Sequence, residues 1–312
     1  MGYEGIRVAE ATKTKPAHTK VTVRKVGRYL APTYDFIAKG MLGSVRNVQN
    51  ITVPFLMSFL DLPKEEYVNL HITNPEMPKR TIKGKYVVLD ILLETASHGT
   101  IHIEIQVKPI PHAWERLIEY NAQTIVHKIK TADKYVVVTR TISILIYSEG
   151  IMFHDDDNYF HSEVLMDKFT KTQGTDLVEF DIIELKKLPE NLADVADKGI
   201  AALTDLYNWA KFFNAKTEKE LEDMAMESPA IADAFEVLKE LSEDEKMQKM
   251  AIKTEQNRRY IDDQIWGAEQ RGAEKEGQKA ARAMYKFGIP LSSIATELGH
   301  PEGIIQQWIA QK

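Results

Sequence analysis

The side chains best suited to chemistry in this chain interrupt two apolar runs that lie close together in sequence. Asp90 interrupts the run 87–93, and Glu104 and Gln106 interrupt the run 101–107. A carboxylate inside a β-branched run is unfavourable unless an opposite charge or hydrogen bonds compensate it. Two carboxylates can share a divalent cation, which prefers their hard oxygen atoms as ligands. The two runs therefore predict a β-hairpin that carries a metal site.

Alternation along the second strand predicts that its polar side chains share one side: His102, Glu104, Gln106 and Lys108. A turn near residues 97–99 would bring Asp90 alongside this set. Two carboxylates at that distance repel each other unless a cation lies between them. The backbone carbonyl of Ile105 would add an oxygen ligand and leave positions for water and phosphate.

Each of these residues could instead have a purely structural role. A single buried acid on a strand can be half of an ion pair with a core lysine. Two acids on consecutive strands, with Gln106 in register, favour the metal site. His98 and His102 are predicted to be turn or surface residues. The three aspartates at 155–157 are predicted to form a solvated turn, since the glycine and distal glutamate of a calcium loop are missing.

The elements around the hairpin predict an α/β core over residues 32–190. Helices are expected at 32–44, with Thr33 as N-cap, at 53–62 and, as an amphipathic helix, at 109–130. A central strand buried on both faces is expected within 136–150, and a further strand at 177–185.

The rest of the chain predicts three flanking regions. Residues 1–31 look like a basic N-terminal arm. Residues 191–265 form an acidic helical region, and 266–312 combine a glycine-containing hinge with a helix-turn-helix-like module. Residues 1–148 hold 20 basic and 13 acidic residues, a net charge of +7, whereas 149–245 hold 9 and 25, a net charge of −16. The basic part, which contains the hairpin, suits a polyanion.

Composition excludes several classes of protein. The chain has no cysteine, so disulfides, thiolate nucleophiles and cysteine-based zinc sites are excluded. P-loop, Rossmann and Gly-x-Ser-x-Gly motifs are missing as well. No segment approaches ~18 consecutive apolar residues, and the N-terminus lacks the apolar core of a signal peptide. We therefore expect a cytoplasmic protein with no membrane partner.

Specific motifs resemble a known nuclease family. An Asp on one strand and Glu-x-Lys on the next is the pattern of the PD-(D/E)xK nucleases, and this chain has the Glu-x-Gln variant in IEIQV, residues 103–107. With YDFIAKGMLG at residues 34–43 and the Gly-Glu-Lys repeat near the C-terminus, the chain resembles the recombination-promoting nucleases, also called PD-(D/E)xK family transposases. The resemblance implies a restriction-endonuclease-like core, a central mixed sheet flanked by helices, followed by an all-helical C-terminal region.

The resemblance also implies roles for individual residues. Asp90 and Glu104 would bind the metal with the Ile105 carbonyl, and Asp35 would be an auxiliary acid. Gln106 occupies the lysine position but carries no charge, so it would orient water by hydrogen bonds. Lys108, Arg116 or Lys85 would partly substitute for the lysine. Basic residues expected to contact DNA phosphates are Lys79, Arg80, Lys83, Lys85 and Arg116.

These roles predict a Mg²⁺-dependent DNA endonuclease that hydrolyses phosphodiester bonds, with Mn²⁺ or Ca²⁺ as alternative ions. The resemblance links the activity to recombination or mobile elements. The alternative is a DNA-binding or assembly protein with a vestigial nuclease core. The last helix has no basic residue before Lys312, so it suits the formation of a homo-oligomer better than phosphate binding.

Overall fold

A computed structural model describes residues 21–73, 91–108, 112–131, 138–192 and 203–310, without the side chains of 127–131. The chain divides into two compact units. One unit is Val23–Ala251, and the other includes Ile252–Lys312. Within the described ranges, no helix combines the length and apolar composition needed to cross a membrane.

The first unit begins with a small antiparallel pair of strands, β1 (Lys25–Val26) and β2 (Tyr29–Leu30). Both residues of β2 are buried, and the Leu30 amide donates a hydrogen bond to Ser242 Oγ at 2.9 Å. The predicted basic arm 1–31 is therefore corrected at its end, because residues 23–31 contribute apolar side chains to the core. Residues 1–20 lie outside the described part of the chain.

A mixed sheet is the centre of this unit. Its strands are β3 (His71–Ile72), β4 (Ile91–Glu94), β5 (Thr100–Gln106), β6 (Thr141–Tyr147), β7 (Phe160–Val164) and β8 (Val178–Glu184). The described strands lie in the order β3-β4-β5-β6-β8-β7. β5, β6 and β8 run parallel to one another, whereas β3, β4 and β7 pair antiparallel with their neighbours. The predicted mixed sheet flanked by helices is confirmed.

Helices cover the sheet: α1 (Asp35–Leu42), α2 (Val53–Met57), α3 (Lys64–Val68), α4 (Ala113–Thr131), α5 (Thr204–Asn214), α6 (Glu218–Glu227) and α7 (Pro229–Glu243). α4 connects the parallel strands β5 and β6, as crossover helices do. The predicted helix at 53–62 is shorter than expected and ends at Met57. The next amide, that of Ser58, donates a hydrogen bond to the Phe55 carbonyl. A π-helical turn, Val48–Thr52, precedes it.

The predicted capping role of Thr33 is wrong. Tyr34 occupies the N-cap position of α1 and makes no side-chain capping hydrogen bond. The Thr33 hydroxyl instead accepts a hydrogen bond from Arg24 Nη1 at 3.2 Å. Burial of the apolar face of α1 against the core positions this helix without a cap.

The C-terminal unit contains most of α8 (Glu245–Lys286), followed by α9 (Leu291–Leu298) and α10 (Glu302–Ala310). Their buried contacts form a small core of Ala281, Ile294, Ile305 and Trp308. The glycine repeat does not interrupt α8, contrary to the predicted hinge. A Cβ on Gly277 would lie 3.0 Å from the Trp308 ring, so this glycine allows the indole to pack closely on α8.

Candidate functional site

The candidate site lies on the side of β5 that faces α4. Ile101, Ile103 and Ile105 point to the main core on the opposite side, so alternation directs His102, Glu104 and Gln106 toward the helix. Contacts with α4 agree, since His102 packs edge-to-face on Tyr120 with ring centroids 5.7 Å apart. These polar residues therefore lie on one side of the strand, as the sequence predicted.

Glu104 forms an ion pair with Arg116 from the first turn of α4. The distance from Arg116 Nη2 to Glu104 Oε1 is 2.8 Å, and the carboxylate side chain is only 8% exposed, against 40% for the arginine. Arg116 Nη2 also donates to the Tyr120 hydroxyl at 2.9 Å, with the guanidinium carbon 5.4 Å from the ring centroid. Burial raises the pKa of the Glu104 carboxyl, and the adjacent guanidinium opposes this change.

His102 is a buried residue, so its predicted turn or surface position is wrong. Its side chain is 1% exposed, and neither ring nitrogen has a hydrogen-bond partner within the described part of the chain. Burial lowers the pKa of His102 to about 4, which keeps the imidazole neutral near pH 7. His98 does lie in the turn, with a positive φ of 64° and a contact of 2.9 Å between its Nδ1 and Glu94 Oε1.

Gln106 and Lys108 follow Glu104 at the end of β5. Gln106 Nε2 donates a hydrogen bond to the Lys108 carbonyl at 3.0 Å, which fixes the amide at the strand end. The Gln106 carbonyl accepts from the Ser148 amide at 2.9 Å, so the pairing of β5 with the chain after β6 extends to this point. Gln106 is half-buried, and its amide can reach both protein and solvent.

Asp90 and most of the predicted DNA-contacting residues lie outside the described residues: Lys79, Arg80, Lys83 and Lys85. Asp90 directly precedes Ile91, the first residue of β4, and Ile91 pairs with Ile103. The connection between β4 and β5 is the turn at residues 95–99, where the Thr95 amide donates to the Gly99 carbonyl. The turn predicted near residues 97–99 is confirmed.

Asp35 is the first residue of α1 and is exposed. No hydrogen bond or ion pair of the described residues joins it to Glu104. The other end of the helix lies closer to the hairpin, because a Cβ on Gly43 would lie 3.1 Å from Ile91. The auxiliary role of Asp35 stays a prediction.

The site offers some of the oxygen ligands that a hard cation prefers. Glu104 is a buried carboxylate that already contacts a positive group, and the Ile105 carbonyl is its neighbour in the chain. Over the described ranges, no group of three or more His, Cys, Asp or Glu side chains is arranged to hold a metal ion. A complete site would need a further acid, and Asp90 is the candidate that the sequence offers.

A second buried acidic pair, not predicted from the sequence, is Glu179 and Asp181 on β8. Glu179 forms an ion pair with Arg140, and Ser162 Oγ donates to Glu179 Oε1 at 3.5 Å. Asp181 is fully buried, and neither carboxylate oxygen has a hydrogen-bond partner within the described residues. Burial and the nearby Glu179 raise the pKa of Asp181 well above its usual range. The sequence signal was available, as three acids, Glu179, Asp181 and Glu184, interrupt the apolar run 177–185.

The three aspartates at 155–157 are exposed, as predicted for a solvated turn. Asp156 Oδ1 lies 3.4 Å from His161 Nε2 and 3.6 Å from Lys187 Nζ. Lys187 is also 2.8 Å from Glu184 Oε2, and Glu184 Oε1 accepts from the Met152 amide. This network holds the loop after β6 against the end of β8.

A mixed sheet with a parallel centre, an antiparallel hairpin and Glu-x-Gln beside a crossover helix defines a nuclease-like α/β core. The chain belongs to the PD-(D/E)XK nuclease family transposases, whose family model matches residues 32–269. Comparison with curated proteins gave no match, and neither did comparison with solved structures. The family resemblance seen in the sequence is therefore confirmed over most of the chain.

Proposed function

We propose that this protein is a metal-dependent endonuclease that hydrolyses phosphodiester bonds in DNA. The observation that carries the proposal is the buried Glu104 carboxylate near the end of a parallel strand. This carboxylate is paired with the Arg116 guanidinium and is followed two residues later by Gln106. Ligand sites of open α/β sheets lie beyond the carboxyl ends of their parallel strands, which is where this pair lies. Membership of a nuclease family makes phosphodiester hydrolysis the chemistry to expect there.

Asp90, Glu104 and the Ile105 carbonyl are the proposed ligands of the metal, with Mg²⁺ as the first candidate and Mn²⁺ or Ca²⁺ as alternatives. Asp90 is one residue before Ile91, whose partner Ile103 is one residue before Glu104. When bound, the ion supplies a Lewis acid for a phosphate oxygen and acidifies water. Asp35 is proposed as an auxiliary acid near this set.

Gln106 is proposed to orient the attacking water. Its amide nitrogen is held by the Lys108 carbonyl at 3.0 Å, and its carbonyl oxygen can accept a hydrogen bond from water. Because an amide carries no charge, it does not stabilise the negative charge that develops on phosphate. Lys108, two residues along, is the proposed source of positive charge.

The proposed DNA contacts come from the basic residues that precede Asp90 in sequence: Lys79, Arg80, Lys83 and Lys85. Four cationic side chains within seven residues would contribute to binding through phosphate contacts and counterion release. A cytoplasmic location and a role in recombination or mobile-element activity complete the proposal.

Plasmid nicking tests the activity. The wild-type chain with Mg²⁺ should convert supercoiled plasmid to the nicked form, and a chelator should stop the reaction. Asp90→Ala should reduce the rate by at least about 100-fold, since removing a ligand removes the ion's stabilisation of the transition state. Asp61→Ala, which removes an exposed acid from the same unit, is the matched control. Equal nicking by wild type and Asp90→Ala would contradict the assignment.

The C-terminal unit is proposed to mediate self-association. Tyr285 and Phe287 are 51% and 85% exposed at and just after the end of α8, and adjacent exposed aromatic side chains favour protein contacts. We expect the double variant Tyr285→Ser with Phe287→Ser to sediment as a smaller species than wild type. Unchanged sedimentation would exclude these two residues from the interface.

A further inference from the structure

We infer that Arg116 is a displaceable counter-ion of Glu104 that becomes a phosphate contact once a divalent cation occupies the carboxylate. This inference rests on the proposed nuclease function and adds a coupling between metal binding and DNA binding. Three observations carry it: the contact of Arg116 with Glu104, its contact with Tyr120, and the N–H donors that it could offer to phosphate.

Arg116 holds one of the two Glu104 oxygens that could bind a metal. Nη2 lies 2.8 Å from Glu104 Oε1, and the carboxylate is almost wholly buried whereas the guanidinium is 40% exposed. The arginine therefore lies on the solvent side of the acid. A guanidinium and a divalent cation on one carboxylate repel each other, so binding of one disfavours binding of the other.

Tyr120 retains the guanidinium when it leaves Glu104. The two residues are four apart on α4 and lie on the same face of the helix. The same Nη2 is 2.9 Å from the Tyr120 hydroxyl, and the guanidinium carbon lies 5.4 Å from the ring centroid. Loss of the Glu104 contact thus leaves a hydrogen bond and a cation–π contact in place. The positive charge remains beside the site.

A released Arg116 has donors for phosphate. Its Nε is buried and has no hydrogen-bond partner in the described part of the chain. The planar guanidinium presents its N–H groups as a rigid fork that matches phosphate oxygens. Gln106 cannot supply positive charge at the lysine position, so Arg116 would add its charge, from the neighbouring helix α4, to that proposed for Lys108.

Reciprocal coupling follows from this arrangement. A cation that frees Arg116 raises the affinity for phosphate, and bound DNA that holds Arg116 raises the affinity for the cation by the same factor. Couplings of this kind commonly amount to about 10-fold. Removal of the Arg116 charge should therefore strengthen the binding of the metal alone and abolish the effect of metal on DNA binding.

Calorimetric titration of the full-length chain with Mn²⁺ is the first measurement. Arg116→Met should bind Mn²⁺ about 10-fold more tightly than wild type, because the competing cation is gone. Glu104→Gln should lose this binding. Arg46→Met, which removes a guanidinium from an exposed ion pair with Glu240, should match wild type and controls for net charge. Thermal melting checks that each variant is folded.

Fluorescence anisotropy with labelled duplex DNA and Ca²⁺ or chelator is the second measurement. Ca²⁺ should raise the DNA affinity of wild type about 10-fold and leave that of Arg116→Met unchanged. Arg116→Lys keeps the charge without the fork, so it should bind Mn²⁺ like wild type and retain only part of the Ca²⁺ effect. It serves as the test variant if Arg116→Met does not fold.

The outcomes separate this inference from the proposed function. Wild-type or weaker Mn²⁺ binding by Arg116→Met, with loss of binding in Glu104→Gln, overturns the role of Arg116 and leaves the metal site standing. Wild-type Mn²⁺ binding by Glu104→Gln contradicts the metal site itself, and the inference falls with it. An undiminished Ca²⁺ effect in Arg116→Met would also overturn the inference.

Discussion

Two buried glutamates on parallel strands share a local pattern, Glu104 on β5 and Glu179 on β8. Each is less than 10% exposed, each forms an ion pair with an arginine, and each is followed two residues later by a polar residue, Gln106 or Asp181. Their positions in the sheet differ. Glu104 is near the end of its strand and faces α4, whereas Glu179 is the second residue of its strand and points to the opposite side.

The difference shows that position in the fold, more than the local motif, separates a candidate catalytic acid from a structural one. The Glu104 pair is reached from solvent through an arginine that is 40% exposed, and it lies near the carboxyl end of a parallel strand. The Glu179 pair is reached through an arginine that is 26% exposed and adjoins a second, fully buried acid, Asp181. One arginine can leave its partner, whereas the other neutralises charge in the interior.

The largest expected difference in stability lies between the variants that lose Arg140 and Arg116. Arg140→Met leaves Glu179 buried without a cation beside Asp181, and we expect the free energy of unfolding to fall by about 3 kcal/mol. Arg116→Met removes the more exposed of the two arginines, so water can take its place beside Glu104, and a loss of about 1 kcal/mol is expected. Urea denaturation at pH 7 measures both. Equal losses would break the distinction between the two pairs.

Asp181→Asn should change how stability depends on pH. Burial and Glu179 raise the pKa of Asp181 in the folded state above its value in the unfolded chain. Between these two pKa values the folded protein holds a proton that the unfolded chain has released, so stability falls as pH rises through this range. An amide does not titrate, so the variant should be more stable than wild type at pH 7.

The advantage of Asp181→Asn should shrink as pH falls toward the usual pKa of an aspartate. Thermal melts across this pH range measure it. Asp176→Asn, a change at an exposed aspartate three residues before Glu179, is the control and should follow wild type. A constant difference between Asp181→Asn and wild type at every pH would mean that folding does not shift the pKa of Asp181.

Gln106→Lys gives the smallest expected effect, a rise of about 3-fold in the nicking rate from added positive charge near phosphate. Gln106→Met, which removes hydrogen bonding at similar size, should lower the rate. Plasmid nicking under identical Mg²⁺ conditions measures both variants. If Lys and Met lower the rate alike, the amide itself is required and the charge argument fails.

Apolar periodicity predicted the central elements well, because β5, β6, β8 and α4 bury continuous or one-sided apolar faces. The edge strand β7 was missed, since its sequence FHSEV is polar and its pairing with β8 depends on tertiary contacts. The glycine repeat was misjudged for a related reason. At Gly277, the packing of Trp308 compensates for the low helix propensity of glycine, and no local pattern reveals that contact.

The candidate site was predictable in part. Strand alternation placed Glu104 and Gln106 on one side of β5, and the structure agrees. The sequence assigned Arg116 to DNA, but its contact with Glu104 depends on how α4 lies over the sheet. Burial of His102 was likewise hidden, because alternation puts a residue on a side of a strand and does not say what covers that side.

Plasmid nicking by the matched variants Glu104→Gln and Glu179→Gln tests the central claim most directly. Both replace a buried, arginine-paired carboxylate with a neutral amide of the same size, and thermal melting confirms that both are folded. Glu104→Gln should lose at least about 100-fold in Mg²⁺-dependent nicking, whereas Glu179→Gln should stay within about 3-fold of wild type. Nicking that survives in Glu104→Gln, or that is lost equally in both variants, would contradict the assignment of Glu104 to the reaction centre.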